Sequence, residues 1–67
     1  MTATEWVIVA DRESGLTIVR GGYSTAREAA VVRTELERHL PEDDVTNFLL
    51  LTRAQAQELL REEEGHA

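Results

Sequence analysis

Two β-branched runs only five residues apart constrain this chain more than any other feature. Glu5-Trp6-Val7-Ile8-Val9-Ala10 and Leu16-Thr17-Ile18-Val19-Arg20 each read as a strand. Asp11-Arg12-Glu13-Ser14-Gly15 between them is polar and ends in glycine, so the pair reads as an antiparallel hairpin. A five-residue loop sets Ala10 against Leu16, Ile8 against Ile18 and Trp6 against Arg20. The period of two then places Trp6, Ile8, Ala10, Leu16 and Ile18 on one side, with Val7, Val9, Thr17 and Val19 on the other. In that register Arg20 lies over the Trp6 ring as a cation–π partner.

Gly21-Gly22-Tyr23 reads as the break after the second strand. Thr25 followed three residues later by Glu28 is a capping box that opens a helix running to about His39 or Leu40, where Pro41 stops it. Ala29, Val32, Leu36 and Leu40 form its apolar stripe, widened by Ala26, Ala30 and Val31. After a polar loop, Pro41-Glu42-Asp43-Asp44, the segment Val45–Leu51 reads as a third strand. Its apolar content is continuous, which suggests cover on both faces and a central place in the sheet. The helix ahead of it can return this strand parallel to the second. Thr52 and Gln55 make a second capping box, opening a shorter helix to about Glu64 with Ala56, Leu59 and Leu60 along its apolar edge. Glu62-Glu63-Glu64 opposes the dipole of that helix, so its end should fray. The fold class is α+β: a β-β-α-β-α domain over residues 1–64, with a three-stranded sheet on one long and one short helix and a tail at 65–67.

Two helices of unequal reach raise the question of what covers the sheet. If the shorter helix leaves one side bare, Val7, Val9, Val19 and Phe48 stand in water. Burying each is worth roughly 1.5–3 kcal/mol, which together rivals the whole stability of a small domain, about 5–15 kcal/mol. At 67 residues the chain is in the size range where oligomerisation often supplements a small core. Cysteine is absent, so no disulfide helps. The expectation is therefore a non-catalytic protein–protein interaction module that self-associates through an apolar sheet face or edge. Trp6, Val7, Val9, Val19, Phe48 and Leu50 are the interface candidates, with Trp6 the best single anchor.

Charge narrows the alternatives. Thirteen acids against seven bases give a net charge of −6, which disfavours direct nucleic-acid binding. An acidic inhibitor or DNA mimic docking on a basic protein, with Glu62-Glu63-Glu64 as an electrostatic contact, is the second reading. All seven bases are arginine, which fits a GC-rich bacterial or phage coding sequence. The apolar runs are too short to span a bilayer, and Met1–Glu5 has no basic segment leading into an apolar one. A cytoplasmic location without membrane contact is expected.

Chemistry-bearing residues are sparse. Gly21-Gly22-Tyr23-Ser24-Thr25 before a helix can hold an anion, but it lacks the spacing and lysine of phosphate loops and reads first as a flexible turn. Glu42-Asp43-Asp44 offers oxygens for a hard cation without the ligand spread of a calcium loop, and reads first as a solvated loop. His39 and His66 are the only histidines and have no cysteine to join them in a zinc site. Ser14, Ser24 and Tyr23 have no visible base or oxyanion hole. No catalytic residue, metal or cofactor is expected. The hairpin followed by Gly22, Thr25, Glu28 and Ala29 resembles HicB-type antitoxin domains, where a small sheet precedes a helix with a similar opening. That likeness covers a minor part of the chain and departs from the family in placing a strand after the helix. It implies an antitoxin-like regulator as the third reading.

Overall fold

A computed structural model describes residues 4–39 and 45–65. The elements run β1 (Trp6–Arg12), β2 (Gly15–Tyr23), α1 (Ala26–His39), β3 (Val45–Thr52) and α2 (Arg53–Gly65), the expected β-β-α-β-α order. The Pro41–Asp44 loop, Leu40 and His66 lie outside the described residues.

Local signals explain the helix starts. Thr25 Oγ1 accepts the Glu28 N–H at 3.1 Å, so the first helix is capped as its sequence requires. The Glu28 carboxylate does not complete the box; it accepts the hydroxyls of Ser24 (2.9 Å) and Thr25 (3.4 Å) instead. At α2 both arms of the box form: Gln55 N–H donates to Thr52 Oγ1 at 3.2 Å, and Thr52 N–H donates to Gln55 Oε1 at 3.0 Å.

The sheet departs from expectation in its order. It runs β2-β1-β3, with β1 antiparallel to both neighbours. The central strand is therefore β1 and not β3. β3 does run in the same direction as β2, but β1 lies between them. A continuous apolar run reports cover on both faces, and here edge strands have that cover too. It carries no information about position within the sheet.

The hairpin turn is three residues shorter than the expected five-residue loop, and the pairing register moves by one residue. Only Glu13 and Ser14 connect Arg12 to Gly15, and Ala10 opposes Thr17, Val9 opposes Ile18 and Asp11 opposes Leu16. Gly15 leaves the turn at φ +134°, a conformation L residues rarely adopt. The slip moves Leu16 and Ile18 to the opposite face. They pack with Val7, Val9, Leu49 and Leu51 against α2, while Val19 joins Ile8, Ala10, Phe48 and Leu50 under α1. Two register shifts follow, leaving extra residues on β2, so that Ile8 meets Arg20 and Trp6 meets Tyr23. Arg20 is thus paired away from Trp6, and its guanidinium donates to the Val19 carbonyl at 2.9 Å. The strand also continues through Gly21 and Gly22 to Tyr23 instead of breaking there.

Both faces are covered. Val7, Ile8 and Ala10 are fully buried and Val9 is 1% exposed, so β1 is sealed on two sides. Ala29, Leu36 and Phe48 complete the core on the α1 side; Ala56 completes it on the α2 side. The picture of Val7, Val9 and Phe48 left in water is therefore wrong, and Val19 is half-buried. The physical reason is width. Three strands at about 4.8 Å spacing span about 10 Å, the diameter of one helix. The smallest dimension of the molecule is 11 Å. One helix per face suffices, and alanine at position 56 lets α2 sit close. Val31 does not widen the α1 stripe; it is 60% exposed.

Candidate functional site: the two sheet edges

With both faces sealed, the remaining unsatisfied surface of the sheet is its edges. Backbone geometry fixes which groups point outward. Arg53 N–H donates to the Glu5 carbonyl at 2.8 Å, one step beyond the Trp6–Thr52 pair of the β1–β3 ladder. Alternation along an antiparallel ladder then turns Asn47, Leu49 and Leu51 toward β1, and Phe48, Leu50 and Thr52 away from it. By the same parity on the other side of β1, Gly15 and Thr17 face inward, and Leu16 and Ile18 face outward.

Side chains of the same chain hold several of these outward donors. The Leu16 N–H is bound by both carboxylate oxygens of Glu63, each at 3.1 Å. Thr52 N–H is held by Gln55, and Phe48 N–H by its neighbour Asn47 Oδ1 at 3.0 Å. The acidic end of α2 thus contributes to the fold: Glu63 clamps the start of β2, and α2 continues past it to Gly65. No sequence pattern announces a bond between residues 47 apart.

The edges differ in quality. β2 contains Arg20, three glycines and two register shifts, all of which discourage pairing with another strand. β3, Val-Thr-Asn-Phe-Leu-Leu-Leu-Thr, has no charge, glycine or proline. Its one irregularity is at Thr46, where the ladder shifts and the Thr46 hydroxyl donates to the Asp11 carbonyl at 3.1 Å. An uncharged, apolar edge strand is a template for another strand. Of the interface candidates, Phe48 and Leu50 lie on it. Val7 and Val9 are sealed beneath α2, and Trp6 and Val19 are half-buried on the α1 side.

The end of the sheet near α2 is tied by a polar clasp. Arg53 Nη2 donates to Glu5 Oε2 at 2.5 Å. The side-chain hydrogen bond from Arg53 holds the Glu5 carboxyl below its ordinary pKa, against a smaller opposing desolvation, with further help from the Arg53 charge and the Gly22 N–H. Gly21 fits against this clasp because it has no side chain: a Cβ there would stand 3.2 Å from both Arg53 Nη2 and Val7 Cγ1. A depressed carboxylate pKa contributes stability above the unfolded value, about 4.3, and loses it as pH falls through the folded value. Glu5→Gln should therefore melt slightly below the parent at pH 7, with the gap narrowing as pH falls below the unfolded value in parallel thermal melts. A constant gap across that range would disconnect it from the ion pair. The effect is small because the pair is solvent-accessible.

An open depression of about 290 Å³ lies beside the clasp, lined by Thr4, Glu5, Gly22, Tyr23 and Ser24. This is where the anion reading of Gly21–Thr25 would apply. The Glu5 carboxylate stands there and holds the Gly22 N–H, and the Thr25 hydroxyl holds the Glu28 N–H. The Ser24 hydroxyl is engaged with Glu28, and Tyr23 packs at the margin of the α1-side core. Among the described residues no three acidic or histidine side chains gather as metal ligands. No helix among them is long and apolar enough to cross a membrane.

No family model, curated protein or solved structure matches this chain.

Proposed function

We propose that this chain is a non-catalytic protein-binding module that engages another chain by strand addition along β3. One observation carries the reading: an uncharged eight-residue edge strand with the backbone groups of Phe48 and Leu50 directed outward. Main-chain hydrogen bonds supply affinity in this mode, and side chains alternating above and below supply selectivity. The bare-face version of self-association has lost its basis, since α2 covers the face it needed. The acidic-mimic version is weakened at Glu63, which is engaged within the chain.

Proline is the direct test. Leu50→Pro removes an N–H that faces away from the sheet, a place where edge strands tolerate proline. Ile18→Pro does the same on the β2 edge. Binding, whether to a copy of the chain or to a separate protein, should be lost in Leu50→Pro and kept in Ile18→Pro, with folding verified by circular dichroism. Binding that survives Leu50→Pro but weakens steeply with salt would instead favour the acidic surface.

A further inference from the structure

We propose that the occupant of the β3 edge is a second copy of this chain, paired antiparallel about a two-fold axis at Leu49, with Asn47 as the side chain that competes with it. The inference rests on the edge reading above and adds the partner, the register and the restraint. Phe48 and Leu50 are the outward positions flanking Leu49. In an antiparallel copy related by a two-fold at Leu49, each Phe48 faces the other chain's Leu50. Each such pair exchanges two N–H to C=O bonds, and symmetry supplies the pair twice.

The alternative register, centred on Leu50, needs the Thr52 N–H, and the capping box of α2 already holds that donor. Centring on Leu49 avoids it. The only donor that must be freed is Phe48 N–H, held by the Asn47 side chain of the adjacent residue. Asn47 therefore sets the strength of pairing without contributing to it.

Side-chain chemistry agrees with this register. Phe48 meets Leu50 on the α1 side, and Leu49 meets its own counterpart on the α2 side, all apolar cross-strand neighbours. Two copies at −6 each repel over distance, but β3 brings no charged strand residue into the contact.

The absence of cysteine gives a clean experiment. Leu49→Cys places one thiol per chain at the non-hydrogen-bonded site on the axis, where paired Cα atoms approach to about 4.5 Å, within disulfide reach. Under mild oxidation Leu49→Cys should give a disulfide-linked dimer and Ile18→Cys should not. Sedimentation of the unmodified chain should show a monomer–dimer equilibrium, and Asn47→Ala should tighten it roughly tenfold. An unmodified chain that stays monomeric at millimolar concentration would overturn the proposal without reference to any variant. So would crosslinking through Ile18→Cys in preference to Leu49→Cys. If the chain is monomeric yet binds a different protein in a way Leu50→Pro abolishes, the edge reading stands and the second copy falls.

Discussion

Ala56→Glu is expected to leave the chain unfolded at room temperature, while Ala54→Glu, two residues earlier on the same helix, changes stability by less than about 0.5 kcal/mol. Ala56 is fully buried against Val7 and Val9, and Ala54 is exposed. A glutamate at 56 would stand among the apolar side chains of Val7 and Val9. Burying an unpaired carboxylate costs several kcal/mol, and lifting the helix away to avoid this exposes Val7, Val9, Ile18, Leu49 and Leu51. Either route removes most of the stability available to a domain of this size. Urea titration followed by circular dichroism separates the two variants. A cooperative Ala56→Glu transition close to that of the parent would mean that α2 does not seal the sheet.

Ile8→Ala should cost about 2–5 kcal/mol, the second largest effect. Ile8 is fully buried at the centre of β1, within the cluster of Ala10, Ala29, Leu36 and Phe48. The sheet and α1 close on it from several directions, so a cavity there collapses poorly. Val31→Ala is the matched control, since Val31 is 60% exposed on the outer side of α1. It should fall within about 0.5 kcal/mol of the parent. Chemical denaturation curves give both values, and equal midpoints for the two variants would place the core elsewhere.

The parts of this fold that were legible in the sequence are those written in local signals. Thr25 and Thr52 with their partners three residues on mark helix starts, and the structure places α1 and α2 directly after them. Ala29, Val32 and Leu36 mark the inward stripe of α1. The order of elements follows from these and from the β-branched runs. Hairpin register was not legible, because it turned on three residues: whether Asp11, Arg12 and Gly15 belong to the loop or to the strands. The glycine at 15 suits a long loop and a tight turn equally. The resulting one-residue shift in pairing exchanged the faces of Leu16, Ile18 and Val19.

Sheet order and cover were misread for a related reason. Continuous apolarity in Phe48–Leu51 is shared by Trp6–Ala10, and neither run states which strand is central. The reach of α2 was judged from its few apolar residues, although a sheet only three strands wide needs no more than one helix. The edge site depended on register and was therefore hidden. The roles of Asn47, Gln55 and Glu63 as holders of outward N–H groups emerge only once the pairing is known. Phe48 and Leu50 were reachable from sequence as apolar residues of a third strand, but on the argument of a bare face. Their candidacy now rests on backbone direction.

Amide hydrogen exchange on the unmodified chain, followed residue by residue over a range of protein concentrations, tests the central claim most directly. The account predicts slow exchange at Val7 and Val9 at every concentration, because those N–H groups lie within the β1–β3 ladder beneath α2. It predicts that Leu50, fast in dilute solution, becomes protected as concentration rises, while Ile18 stays fast. Rapid exchange at Val7 and Val9, or protection that grows at Ile18 and not at Leu50, would contradict a sheet sealed on both faces and open along β3.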